Sequence, residues 1–322
     1  MSGVLATDAT VHFDDPAEAS SVYAKGFFGT LGPSGRLTLD RYEAVYLAEM
    51  ARVVVTGPGG GVAPWRAIFR RAVRVDAGFP VRYLVYRDLR QRGYVVRASP
   101  PPVAFAVLPR GGILHKTPSK FWVEALSERV AFDLARVFDL ADRAQSAKKV
   151  LLLGLVDEES DLTYYRVRRP APTGALPPRA LPRPTEGWLS EDRVTIHEPE
   201  AVDELGRELA YGSRLGARLE RRARRLDPGF DERRAAYADL RARGLVVKTG
   251  FKYGAHFRAY PRNPSHAHAR YLVQAVPAGH VTAWPDVAGS VRVAQGVRKE
   301  FLVAGVGPAA AVRFLSLERI RP

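Results

Sequence analysis

The chain contains no cysteine, which excludes a disulfide framework and thiolate metal sites and leaves the redox compartment open on that criterion. It also lacks any apolar run of the roughly eighteen residues that a membrane helix needs. Its first residues, MSGVLATDATVHFDD, have neither the basic start nor the apolar core of a signal peptide. The expectation is a soluble, cytoplasmic protein with no membrane partner. Acidic residues are scarce towards the C-terminus, where only Asp286, Glu300 and Glu318 follow Gly244. They are too scattered for the carboxylate cage that holds Mg²⁺ in metal nucleases, so a two-metal mechanism is not expected. No Gly-rich loop leads into Lys-Ser/Thr, and GPGGG at Gly57–Gly61 reads as a flexible turn, which argues against ATP hydrolysis.

Positive charge is present in excess. Forty-nine Lys and Arg against 34 Asp and Glu give a net charge of +15, the balance of a protein with a polyanionic partner. Nucleic acid or an anionic membrane would both satisfy it, as would an arginine-rich proteome. Most of the excess is arginine, which grips phosphate bidentately and stacks on exposed bases, and this leans towards RNA with unpaired bases.

At 322 residues with 46% hydrophobic composition, the chain exceeds what one core usually organises, and two or more domains are expected. An internal repeat specifies them. RYLVYRDLRQRGYVVR from Arg82 corresponds to RAAYADLRARGLVVK ending at Lys248, with Tyr86, Asp88, Leu89, Arg90, Arg92, Gly93, Val95 and Val96 recurring 151 positions later. KFWVEA from Lys120 recurs in type as RYLVQA from Arg270, and DRAQSAKKVLLLGLV as RVAQGVRKEFLVAGV, at a spacing near 150. Upstream, the segment from Val11 resembles that from Val194 at a spacing of 183, which marks an insertion between about residues 33 and 80.

The expected organisation is an N-terminal subdomain at 1–79, a first repeat at 80–167, a Pro-rich linker at 168–187, a second N-terminal subdomain at 188–227 and a second repeat at 228–322. The fold class is α/β: a tandem duplication of a small α/β subdomain plus a mixed-sheet subdomain. In the second half Pro228 to Arg243 reads as helix; Leu245 to Lys248, Phe257 to Tyr260 and Tyr271 to Val276 as strands; Val287 to Ala294 as helix; and Glu300 to Val306 as strand.

The chemistry-bearing segment is GFKYGAHFRAYPRNPSHAHARYLVQAV. It puts Tyr260 at a strand end and His268 before the next strand, and Lys299 follows RVAQGVR. Such a trio can cleave RNA without metal, using the ribose 2′-OH as nucleophile, with Tyr as base, His as acid and Lys stabilising the developing charge. By spacing alone each has a plain alternative: a strand-end aromatic, a loop histidine and a solvated charge.

These elements, GFKYGAHFRAY, HARYLV and RVAQGVRK, resemble the signature series of the tRNA-splicing endonuclease catalytic domain over most of the second half, and the first half resembles that family's degenerate repeat. The resemblance implies that the mixed-sheet subdomain is restriction-endonuclease-like, a degenerate nuclease-like repeat at 80–167 and a catalytic nuclease domain at 228–322, with Tyr260, His268 and Lys299 as the catalytic set. It also implies excision of introns from precursor tRNA at bulge-helix-bulge motifs, leaving 2′,3′-cyclic phosphate and 5′-hydroxyl ends, with no cofactor and no metal. His266 is read as a neighbour or phosphate contact sharing the face of His268 if the segment is extended, and His256 as a residue that holds the loop by hydrogen bonding. In the first half Leu108 or Pro109 stands in place of Tyr260, Pro118 aligns with His268, and only Lys149 matches Lys299. The reading is one catalytic site per chain and a homodimer that presents two. The acidic loop of Asp157, Glu158, Glu159 and Asp161 is either a solvated hairpin tip or, as the family implies, a contact docking on the partner's catalytic repeat. Arg292 and Arg313 are the expected clamp on a flipped base, or general phosphate contacts. The rival function is a non-catalytic RNA-binding subunit of a splicing complex; a DNA-cleaving restriction-like nuclease would need the missing carboxylate cage.

Overall fold

The computed structural model describes residues 1–176, 188–190, 193–195 and 217–322. The later part of the expected linker and most of the 188–227 subdomain therefore lie outside the described residues. No described helix is long and apolar enough to cross a membrane. Two compact units divide the chain, and the division departs from the sequence repeat. The first comprises Met1–Glu128, Ser146–Tyr164 and Arg321–Pro322; the second comprises Arg129–Gln145 and Tyr165–Ile320.

The first unit opens with β1 (Ser2–Leu5), β2 (Val11–Phe13), α1 (Pro16–Ala24), β3 (Thr30–Leu31), β4 (Leu37–Leu39), α2 (Arg41–Glu49) and β5 (Val54–Thr56), the strands forming one sheet in the order β3-β4-β2-β1-β5. The helix starts are written in the sequence. Asp15 caps α1 by accepting from the N–H groups of Ala17 and Glu18 ahead of Pro16, and Asp40 with Glu43 forms a reciprocal capping box on α2. Helices α3 (Trp65–Val75) and α4 (Phe79–Gln91) follow. The stretch between about residues 33 and 80, marked as inserted by the unequal repeat spacing, is thus built into β4, α2, β5 and α3 rather than looped out. GPGGG closes as a tight turn, with the Gly57 N–H donating to the Gly61 carbonyl at 2.8 Å and Gly60 at φ 78°. Arg97 ties this region to the next sheet. Its guanidinium donates to Glu43 at 2.8 Å and to the Gly29 carbonyl at 2.9 Å.

The first repeat continues with β6 (Val96–Ala98), β7 (Phe105–Val107), β8 (Phe121–Ser127), β9 (Phe132–Asp133), α5 (Leu134–Ser146), β10 (Val150–Val156) and β11 (Leu162–Arg168). β8 and β10 run parallel in the register Phe121↔Val150, and parallel strands need a crossover, which α5 supplies. Most of α5 belongs to the second unit.

The second unit holds α5 as well as β12 (Trp188–Ser190), β13 (Arg193–Thr195), α6 (Ala217–Leu226), α7 (Phe230–Ala242), β14 (Val246–Thr249), β15 (Phe257–Tyr260), β16 (Tyr271–Pro277), β17 (Val281–Thr282), α8 (Trp284–Gly296), β18 (Glu300–Val306) and β19 (Val312–Ile320). Its sheet has the order β14-β15-β16-β18-β19, with β16 and β18 parallel in the register Tyr271↔Glu300 and their crossover made by α8. Two differences from the sequence reading stand out. The helix expected at 287–294 extends to Trp284–Gly296, and a final strand, β19, pairs antiparallel with β18. α7 packs Ala236, Tyr237 and Leu240 onto Phe257, Ala259, Val273 and Leu302 of the sheet. On α5, Phe138 and Leu134 close on Gly305, where a Cβ would meet Phe138 at 2.8 Å.

The repeat is reproduced to the residue. α4 and α7 are offset by 151 positions, β8 and β16 by 150, and β10 and β18 by 150. Each helix closes on a left-handed glycine, Gly93 at φ 85° and Gly244 at φ 81°, the usual solution at a helix C-terminus. Each carries a buried arginine that turns back onto the chain: Arg90 donates to the Tyr94 carbonyl at 3.2 Å and Arg241 to the Leu245 carbonyl at 2.8 Å.

Candidate active site

Strand order in the second unit brings three sequence-distant segments to one end of the sheet. β15 and β16 are antiparallel with Ala259 opposite Tyr271, so the C-terminal end of β15 lies beside the N-terminal end of β16. β16 and β18 are parallel, so both begin at that end. Tyr260 ends β15, Lys299 immediately precedes β18, and His268 lies three residues before β16.

Local contacts tighten this juxtaposition. Tyr260 is 7% exposed and packs with Val246, Ala269 and Leu176. Ala269 is the neighbour of His268, so the residue after the histidine is seated on the tyrosine. The next residue, Arg270, accepts the Glu300 N–H on its carbonyl at 2.9 Å, which ties the strand start bearing His268 to the one bearing Lys299. His268 is exposed and Lys299 half-buried, with its ammonium 3.4 Å from the Val297 carbonyl. Alternation along β15 turns Phe257 and Ala259 into the core and leaves Arg258 and Tyr260 to the other face. The Arg258 guanidinium lies 5.8 Å from the Tyr260 ring.

His266 does not share an extended segment with His268. It sits in a turn whose N–H donates to the Asn263 carbonyl at 3.0 Å, so the period-two argument for a common face does not apply. His256 is built into the loop. Its Nδ1 accepts the Ala275 N–H at 3.0 Å, an acceptor role that requires the neutral ring. Burial, and then the nearby Arg233 charge, lowers its pKa from 6.5 to about 4.

Sequence reasoning passed over three residues beside the candidate site. Phe251, 87% exposed, and Tyr253 stand on the turn Phe251–Tyr253 between Gly250 and Gly254. The Tyr253 ring lies 5.1 Å from the Lys252 ammonium and 5.8 Å from that of Lys299. Burial pushes its phenol up, but the hydrogen bond from Lys252 and the charges of Lys252, Lys299 and Arg258 outweigh this and hold it below the usual tyrosine value. The third, Leu176, comes from the linker, whose Gly174 and Leu176 N–H groups donate to the Arg243 and Gly244 carbonyls at 2.9 Å. The aromatic-basic-aromatic run Phe251-Lys252-Tyr253 was a visible signal, whereas Leu176 had none.

The first repeat builds the same frame without the same groups. The Leu108 N–H donates to the Val95 carbonyl at 3.0 Å, and Val95 corresponds to Val246, which pairs with Tyr260. Leu108, rather than Pro109, therefore holds the tyrosine position. The turn before Pro118 matches the one before His268, with the Lys116 N–H donating to the Ile113 carbonyl as that of His266 donates to Asn263. Lys149 donates to the Ser119 carbonyl at 2.5 Å.

Arg292 is exposed on α8, and together with Arg319 it acts electrostatically on Tyr165. Arg313 pairs with Gly305 near the far end of β18 from Lys299. Its guanidinium covers the Phe138 ring at 4.4 Å and lies 3.5 Å from Asp142. The acidic loop joins β10 to β11. Asp157 spends its carboxylate on the N–H groups of Glu159 and Asp161, at 3.0 and 2.8 Å, while Glu158, Glu159 and Asp161 are exposed. Among the described residues no three His, Cys, Asp or Glu side chains gather as a metal site.

Comparison with known proteins identifies the frame. The family model described as tRNA intron endonuclease, catalytic C-terminal domain, matches twice, at residues 79–164 and 230–314. That of the N-terminal domain of the same family matches residues 1–64, so residues 33–64 belong to that domain. A tRNA-splicing endonuclease of Methanosarcina acetivorans is 32% identical over 94% of this chain and 95% of its own length. One of Halobacterium salinarum is 32% identical over the whole of both chains, and one of Methanococcoides burtonii 31% identical over 88% and 90%. With both domains matched in order and the catalytic domain present twice, the chain belongs to the tRNA intron endonuclease family.

Proposed function

We propose that this protein excises introns from precursor tRNA at bulge-helix-bulge motifs by metal-independent transesterification, using Tyr260, His268 and Lys299. The observation that supports the reading is that the chain ends bearing these three residues lie side by side at one end of β15, β16 and β18. Tyr260 takes the proton of the ribose 2′-OH, whose oxygen attacks the adjacent phosphorus. His268 donates a proton to the departing 5′-oxygen, and Lys299 offsets the charge that builds on the non-bridging oxygens. The products are a 2′,3′-cyclic phosphate and a 5′-hydroxyl, and no cofactor enters the scheme. Tyr253 supports Lys299 through the aromatic contact between them.

Arg292, Arg313 and His266 are assigned to the substrate. Arg313 is already stacked on Phe138, which suits it to take a flipped base on its other face. Two cuts per intron call for two sites, and a homodimer supplies them, with Asp157, Glu158, Glu159 and Asp161 forming the loop that docks on the partner. Asp157 shapes that loop and the other three present charge. A cytoplasmic location fits this substrate.

The test is cleavage of a bulge-helix-bulge precursor in EDTA by the wild type and by His268→Ala, with product ends identified. Two cuts ending in cyclic phosphate, crippled in the variant, are expected. RNA bound but left whole by the wild type would make the protein a non-catalytic subunit.

A further inference from the structure

Helix α3 falls between the two family-matched segments, which end at residue 64 and resume at residue 79. It is amphipathic in an unusual sense. Its eleven residues, WRAIFRRAVRV, include four arginines and no acid. Ile68 and Ala72 are buried, while Trp65 and Phe69 are only half-buried and line a cavity of about 580 Å³ between α3 and α4. That volume is in the range of small-molecule sites. Arg66, Arg70 and Arg87 stand around it. The Arg66 guanidinium lies 4.9 Å from the Trp65 ring, and the Arg70 Nε–H donates to the Arg66 carbonyl at 3.3 Å, a neutral partner that leaves its charge unpaired among the described residues. The one acid in the lining, Glu49, is already occupied: it accepts from the Tyr83 hydroxyl and pairs with Arg87 at 3.1 Å.

An aromatic wall with uncompensated arginines at its rim matches one ligand chemistry, a flat π-system carrying phosphates. We propose that this pocket binds an unpaired nucleobase of the RNA substrate, stacked on Trp65 with its edge towards Phe69, whose ring stands at 88° to that of Trp65, and with its flanking phosphates on Arg66 and Arg70. The proposal rests on the RNA-cleaving reading and adds a second RNA contact, built by the N-terminal part of the chain and independent of Tyr260, His268 and Lys299. Ser160, from the loop proposed to dock on the partner, completes the rim on that side, which leaves the α3 side with Arg66 and Arg70 as the path of the strand.

The test uses the full-length protein and precursor tRNA, measuring KM and kcat together with sedimentation. Trp65→Ala is expected to raise KM about tenfold with kcat unchanged, and Trp65→Phe to restore most of it. Arg66→Gln/Arg70→Gln, at exposed positions that leave the core intact, is expected to raise KM and to lower the slope of log KM against log salt by about two. Unchanged KM in both variants, beside a normally active wild type, would overturn the pocket alone. An altered oligomeric state at unchanged KM would overturn it in favour of a protein partner. A wild type that neither binds nor cuts the RNA would remove the RNA-cleaving reading and this proposal with it.

Discussion

The two catalytic-type repeats share a helix, a buried arginine, a left-handed glycine and a parallel strand pair, yet differ at the positions where proton transfer is proposed. Leu108 and Pro118 hold the places of Tyr260 and His268, and the lysine retained in the first repeat, Lys149, is bound at 2.5 Å to a backbone carbonyl. The frame is preserved because burial enforces it. The site groups lie at strand ends and on turns, where a leucine or a proline costs the fold little.

The largest expected effect sharpens this contrast. His268→Ala should slow single-turnover cleavage about 10²- to 10⁴-fold, whereas His266→Ala, in its turn, should leave the chemical step nearly unchanged and act on KM. A reversal of the two would move the acid to the turn. Next, Lys299→Ala should cost about 10²- to 10³-fold in kcat and Lys149→Ala none, read in the same assay. Equal losses would break the distinction between the repeats. The frame itself is tested by Arg90→Met and Arg241→Met, each expected to destabilise by about 1.5–3 kcal/mol in denaturant titration, because each removes a buried charged donor from a helix-closing carbonyl. A large difference between them would show that the repeats bear load unequally.

The smallest effect concerns His256, which has no histidine counterpart in the matched first-repeat strand. Its pKa is lowered from 6.5 to about 4 in the fold, so as the pH falls the unfolded chain takes up the proton first. Its contribution to stability is therefore full above about pH 6.5 and lost as the pH drops towards 4. Melting temperature followed over that window should fall less steeply in His256→Gln than in the wild type.

Much of this was legible before any fold was known. The closing glycines Gly93 and Gly244 and the apolar runs at Val150 and Glu300 mark helix ends and buried parallel strands by rules that need only neighbours in sequence. β19 was harder to see, because VRFLSLERI mixes charges into a strand whose pairing partner decides which face each residue takes. The turn at His266 was likewise invisible to a period-two argument that assumed extension.

By itself the sequence determined the duplication and the order of most elements, since both follow from residue type and local spacing, while the proposed reactive groups were singled out by resemblance to a family. Only the tertiary structure decided which strand ends lie side by side. Tyr260 reaches Ala269 and the linker residue Leu176 because sheet order sets β15 against β16, and Lys299 arrives through the parallel register of β18. The α3 pocket likewise exists only where Trp65 and Phe69 lie across from Tyr83 and Arg87 of α4. Such contacts join residues far apart along the chain, and pairing and packing, rather than propensity, place them.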